Sequence, residues 1–116
     1  MILQQANMFS AILPIADPPK TPSGFSDLLA ELERQAVAFA RPVVLVHGDS
    51  HYFRVDKPLS PLRVRGKPPV TALENFTRVE TFGSPYSHWV HVSVEADDPN
   101  VFTFRQRLVT PNVKPR

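Results

Sequence analysis

His47, Asp49 and His51 stand at alternate positions in the run Val43-Val44-Leu45-Val46-His47-Gly48-Asp49-Ser50-His51. All three side chains are of types that ligate metals or exchange protons near neutral pH. Gly48 lets the backbone turn sharply between them. The residues before His47 are β-branched or aliphatic without a break, the pattern of a strand covered on both faces. Such strands deliver functional side chains at their carboxyl ends, where a loop opens to solvent. Each candidate also has a plain structural reading. His47 immediately precedes the turn and reads as a group that hydrogen-bonds it rather than as a ligand. Asp49 can satisfy backbone N–H groups as an Asx-turn residue. His51 can be a partly buried imidazole held by a hydrogen bond.

Several elements must position that turn. Phe25, Leu28, Leu29, Leu32, Ala36 and Phe39 fall on one face at helical spacing, with Glu31, Glu33, Arg34 and Gln35 mostly opposite. Ser23 or Ser26 can cap the start, Asp27 lies near the positive end of the dipole, and Pro42 stops the helix. Met1-Ile2-Leu3 runs directly into Gln4 and Gln5 and reads as the end of a strand whose beginning is missing. Pro14, Pro18, Pro19 and Pro22 make residues 9–22 an extended or irregular connection. Residues 57–72, with Pro58, Pro61, Pro68 and Pro69, read as a long surface loop of a length that often carries function. Strands are expected at about 76–82, 88–95 and 101–109. In the second of these Val90, Val92 and Val94 alternate with Trp89, His91 and Ser93, and Asp97-Asp98-Pro99-Asn100 then closes a hairpin. Phe82, Tyr86 and Trp89 are expected in the core or at an interface, and Arg105 and Arg107 on the solvent face of an edge strand. The order is strand, helix, buried strand and an antiparallel set. It predicts an α/β or α+β layered domain over residues 1–110 with a flexible tail at 111–116.

Composition narrows the function. The 116 residues suit one compact domain, and their 42% hydrophobic content is that of a globular protein. No apolar stretch is long enough to span a bilayer. Residues 1–16 lack a basic start and are interrupted by Gln4, Gln5 and Asn7, so no secretory signal is read and the cytoplasm is the default expectation. The absence of cysteine excludes disulfides, zinc-thiolate sites and thiol catalysis. The net charge of +2 comes from Arg63, Arg65, Lys67, Lys114 and Arg116, which lie in Pro-rich stretches without interleaved aromatics. Nucleic-acid binding is therefore disfavoured.

Around His47-Gly48-Asp49-Ser50-His51 the chain resembles the calcineurin-like metallophosphoesterases. That family ends its catalytic domain with Gly-His-x-His on the loop after a buried strand. The motif reads Gly48-Asp49-Ser50-His51 here, with Asp in place of the first His. Tyr52-Phe53-Arg54-Val55-Asp56-Lys57-Pro58-Leu59 and Asn75-Phe76-Thr77-Arg78-Val79-Glu80-Thr81-Phe82-Gly83 are similar to a bacterial branch of the family. The resemblance runs from Met1 to about Leu108 and covers only the carboxyl-terminal part of the family's catalytic domain. It implies the C-terminal half of a four-layer α-β-β-α sandwich, a mixed sheet with antiparallel C-terminal strands. The family's first three ligand blocks, Asp-x-His, Gly-Asp and Gly-Asn-His-Asp/Glu, have no counterpart in the sequence. The fourth, a His at a strand end, matches Ile2-Leu3-Gln4-Gln5-Ala6-Asn7-Met8-Phe9 with Gln5 at the ligand position.

Carried over residue by residue, the resemblance makes His51 a ligand of the first metal, with Asp49 and Gln5 at the positions that hold the second. A carboxylate and an amide oxygen in place of two imidazoles would favour Mn²⁺ or Mg²⁺ over Fe or Zn, or abolish the second site. Arg54 and Lys57, close behind the motif, become candidate contacts to a phosphoester. Their plain reading is a local salt-bridge set with Asp56. In the family two metals hold a bridging hydroxide and stabilise in-line displacement at phosphorus. The leaving-group acid lies in the third block, so no residue here takes that role. The chain alone is expected to be inactive, or nearly so, unless a second copy or another polypeptide completes the site. A competing expectation is a non-catalytic module, for binding or homodimerisation, because half a sandwich leaves apolar surface that self-association buries.

Overall fold

The computed structural model describes residues 1–9, 24–51, 53–59 and 73–113. The uninterrupted apolar run forms strand β2 (Val43–His47). Its successive residues Val44 and Leu45 point to opposite faces and are both inaccessible, so both faces are covered. Around it lie β1 (Ile2–Leu3), α1 (Ser26–Phe39), β3 (Arg54–Asp56), β4 (Phe76–Glu80), β5 (Trp89–Val94), β6 (Phe102–Arg107) and a 3₁₀ turn at Thr110–Asn112. The fold is mixed α and β, with a mixed sheet and an antiparallel strand pair.

The larger sheet has the order β1-β2-β4-β3, and β5 and β6 form a two-stranded antiparallel sheet. Both β1 and β4 run parallel to β2, whereas β3 pairs antiparallel with β4 at the edge. This departs from the expected antiparallel set, because the first of its strands joins β2 instead of β5. The chain between β2 and β4 is long enough for the crossover that a parallel pair needs. The consequence is functional: β1, β2 and β4 all present their carboxyl ends at one edge.

Helix α1 buries a narrower stripe than its pattern suggests. Ala36 is buried and Leu29 and Leu32 pack against Met8, Phe9, Leu45, Leu59 and Phe76. Phe25, Leu28 and Phe39 stay exposed. Burial of Leu45 and Phe76 contributes roughly 1.5–3 kcal/mol each. The N-cap position falls on Phe25, with no side-chain cap, and Ser26 is the first helical residue. Ser23 lies outside the described residues. At the other end Ala40 adopts a left-handed conformation, φ 53°. The Asn75 amide donates to Ala36 O at 2.8 Å, which also accepts the Ala40 N–H, and to Arg41 O at 3.0 Å just beyond the helix. Val43 N–H in turn donates to Asn75 O at 2.7 Å. One asparagine thus joins the helix end to the starts of β2 and β4.

In the hairpin Val92 faces Phe104 and Val94 faces Phe102. Trp89 and Tyr86, expected in the core or at an interface, are 54% and 48% exposed. Phe82 is half-buried and stacks on Phe53. Arg105 is exposed and Arg107 half-buried. Thr110–Asn112, where the tail was expected to begin, makes its 3₁₀ turn with Asn112 Nδ2 donating to Ser87 O at 2.6 Å. Most of the expected long loop, the prolines at 14, 18, 19 and 22, and Arg63, Arg65, Lys67, Lys114 and Arg116 lie outside the described residues. Among the described residues no helix is long and apolar enough to cross a membrane.

Candidate functional site

At the carboxyl edge of the parallel strands three loops meet. Gln4 N–H donates to Val46 O at 3.0 Å and Gly48 N–H to Gln5 O at 3.2 Å, extending the β1–β2 pairing into the loops. Thr81 N–H donates to His47 O at 2.9 Å, doing the same for β4. The 48–51 turn is therefore flanked by the chain after β1 on one side and the chain after β4 on the other.

Polar side chains lock it from three directions. Asn7 N–H donates to Asp49 Oδ2 at 3.3 Å, and the Asn7 amide donates to Ser50 Oγ at 3.1 Å. Asn7 is itself fixed by accepting the Phe9 N–H at 2.9 Å. Ser50 N–H donates to Glu80 Oε1 at 3.1 Å. The His51 Nδ1 lies 2.8 Å from Ser84 O. Asp49 and His51 both occupy the left-handed region, with φ 87° and 67°. Non-glycine residues there cost about 1–2 kcal/mol each. Such strain persists where the surroundings over-determine it, commonly at functional sites.

The His51 contact sets its tautomer. A carbonyl oxygen only accepts, so Nδ1 carries the proton and the Nε2 lone pair points elsewhere. Metal-binding imidazoles have that arrangement, one nitrogen donating to a carbonyl and the other ligating. Gly83 makes room for it. A Cβ at that position would fall 2.6 Å from His51 Cδ2 and 2.7 Å from Cγ.

His47 fills the structural role read from its position. It is 1% exposed with Nδ1 2.7 Å from Gly48 O, and its ring lies 6.3 Å from that of Phe9. Its buried Nε2 has no partner among the described residues.

Arg54 and Lys57 do not act together. Arg54 donates to Glu80 Oε2 through Nε at 3.1 Å and Nη2 at 2.7 Å. It braces the same carboxylate that holds Ser50. Lys57 donates from Nζ to Thr77 Oγ1 at 2.8 Å and to Glu74 O. That is the amino end of β4, about 10 Å of strand away from Glu80. The structure therefore does not bring Lys57 to the turn. Nor do Arg54, Asp56 and Lys57 pair with one another: Asp56 binds Arg78 instead.

No family model, curated protein or solved structure matches this chain. The chemistry must be argued from its own residues.

Glu80 and Arg78 were missed in the sequence. Glu80 is fully buried and Arg78 2% exposed, with the Arg78 guanidinium 4.8 Å from the centre of the Phe9 ring. A signal for both was present. Arg54-Val55-Asp56 and Arg78-Val79-Glu80 are near-copies, and antiparallel register sets Arg54 against Glu80 and Asp56 against Arg78. Each arginine then meets a carboxylate. Asn7 has no such signature, because its role depends on the parallel pairing of β1 with β2.

The turn offers a carboxylate from Asp49 and an imidazole nitrogen from His51, with the exposed Gln5 two residues beyond β1. Among the described residues no three His, Cys, Asp or Glu side chains are grouped to hold one ion. As a donor set it is oxygen-rich and partial.

Proposed function

We propose that this chain is the carboxyl-terminal portion of a calcineurin-like metallophosphoesterase domain, whose whole hydrolyses a phosphate mono- or diester with divalent metal. In this reading the sheet β1-β2-β4-β3 and the hairpin belong to a four-layer α-β-β-α sandwich. The observation that carries it is the placement of Gln5, Asp49 and His51 on the loops at the shared carboxyl edge of three parallel strands, with the His51 Nδ1 committed to Ser84 O. Open α/β sheets bind ligands at that edge. His51 would hold one ion through Nε2, and Asp49 and Gln5 would offer oxygens to a second, favouring Mn²⁺ or Mg²⁺. The remaining ligands would come from outside these residues.

The test is Mn²⁺-dependent hydrolysis of bis-p-nitrophenyl phosphate by the polypeptide of the complete reading frame. Turnover that falls at least 100-fold in His51→Ala supports the reading. A complete polypeptide without turnover, or one indifferent to His51→Ala, rejects it. Robust turnover by the 116-residue chain alone would refute the expectation that its ligand set is incomplete.

A different reading, a non-catalytic homodimerising module, is favoured by exposed apolar groups. Leu3 is 72% exposed on the terminal strand of the described sheet, and Val37 and Phe39 are 60% and 58% exposed on α1. Light scattering decides it: a compact monomer at high concentration argues against this module.

A further inference from the structure

Beside the turn lies a groove of about 210 Å³, lined by His51, Phe82, Tyr86, His88 and Leu108. Its walls are mostly rings, and their positions are fixed. Phe82 stacks on Phe53 at 5.5 Å with 16° between planes, and meets the His88 ring edge-on at 5.0 Å and 86°. The His88 Nδ1 accepts the Val109 N–H at 3.2 Å, which holds that ring from behind. The Tyr86 N–H donates to Gly83 O at 2.9 Å, closing the turn that presents the phenol. The floor is braced while Tyr86 and Leu108 remain 48% and 56% exposed. Apolar surface is therefore presented to water at a built concavity.

Size and chemistry select the occupant. An enclosed cavity of about 150 Å³ holds benzene, whereas drug-sized ligands need roughly 300–1,000 Å³. The groove is thus the size of one ring with a substituent. Among the described residues its lining carries no carboxylate, ammonium or guanidinium, so it suits an uncharged group. Aromatic walls favour a flat partner that can stack on one ring and meet another edge-on.

We propose that this groove seats a single planar aromatic ring belonging to the organic group of the phosphoester. The assignment rests on the phosphoesterase reading of the turn, and His51 is the link. Its Nδ1 is committed to Ser84 O, and its ring forms one wall of the groove. An ester held at the turn would have its organic substituent at the mouth of the groove.

The first arm of the test needs no turnover. Phenol is titrated into isotope-labelled 116-residue chain, with cyclohexanol as the non-planar control of similar size. Saturable shifts confined to the His51, Phe82, Tyr86, His88 and Leu108 side chains, at least five-fold weaker with cyclohexanol, are expected. Leu108→Arg and, separately, Tyr86→Ala should each weaken phenol binding at least five-fold while the spectrum keeps its dispersion. Equal responses to both alcohols, or shifts centred elsewhere, overturn the groove. The second arm uses the complete polypeptide with Mn²⁺. The ratio of kcat/KM for phenyl phosphate to that for methyl phosphate should fall at least five-fold in Leu108→Arg. An unchanged ratio in an active polypeptide overturns the groove and leaves the functional reading intact. Phenol binding by a polypeptide without turnover overturns the functional reading, and with it the assignment of the ring to a substrate.

Discussion

Gly83→Ala should act through one side chain, His51. The new Cβ would sit 2.6 Å from Cδ2, 2.7 Å from Cγ and 3.1 Å from Cβ of His51. Carbon atoms rest about 3.5–4.0 Å apart, so the ring must retreat by roughly 1 Å. His51 is exposed, and the retreat goes into water rather than into packed core. The cost is then the Nδ1–H bond to Ser84 O, about 0.5–1.5 kcal/mol, plus an off-rotamer ring, about 0.5–1.5 kcal/mol. Alanine returns about 0.4–1 kcal/mol by restricting the unfolded chain, since Gly83 does not occupy the left-handed region. The net expectation is a loss of about 1–2 kcal/mol, or roughly 5–10 °C in Tm for a domain of this size. Urea denaturation of the single variants and of Gly83→Ala/His51→Ala measures it. With the imidazole removed, Gly83→Ala should cost almost nothing, because the 2.6 and 2.7 Å clashes are gone and the nearest remaining atom is His51 Cβ at 3.1 Å. An undiminished cost in the His51→Ala background would refute the steric account.

Glu80→Ala should destabilise the chain by about 3 kcal/mol. The buried carboxylate binds Arg54 and Ser50 N–H, and Arg54, 19% exposed, keeps some access to water and so sets the lower end of the range. Urea unfolding with a loss below about 1 kcal/mol would contradict a buried brace. Ala40→Gly should stabilise by about 1 kcal/mol, since Ala40 holds φ 53° at the end of α1; a lower Tm would count against that. Arg34 and Gln35 hold the exposed Glu31 carboxyl below its ordinary value of 4.5. A lowered folded value means that this small contribution is complete above 4.5 and is lost as pH falls through the folded pKa. Amide exchange in α1 should therefore quicken in that acidic window for the native chain more than for Glu31→Gln.

Periodicity carried most of the fold. The run 43–46, the stripe along α1 and the alternation in β5 each depend on local spacing, and each element forms within a few residues of its expected bounds. Strand direction was not legible. Phe76–Glu80 has the same local pattern whether it pairs with β2 or β5, and the choice is made by sheet-wide packing. The same non-local step explains the site. His47, Asp49 and His51 are visible as types at a spacing, but Asn7, Glu80 and Ser84 reach them only after β1 and β4 align beside β2. Lys57 was grouped with the turn because it is close in sequence. The antiparallel course of β3 carries it to the far end of β4.

The 48–51 turn is held in a way that leaves ligand atoms open. The braces engage Asp49 Oδ2, the Ser50 N–H and Oγ, and the His51 Nδ1. Among the described residues they leave Asp49 Oδ1 and His51 Nε2, the lone pairs a divalent ion would need. A turn built only to reverse the chain would not require two non-glycine residues with positive φ, nor a buried glutamate paired with a half-buried arginine behind it. Each of those costs free energy, through strain or desolvation, that a glycine-rich reversal would avoid. What the expensive version provides is position: an imidazole with one nitrogen fixed, next to a carboxylate with one oxygen fixed. Preorganised donors of that kind lose little freedom on binding an ion. In the proposed metal site the braces would matter as much as Asp49 and His51 do.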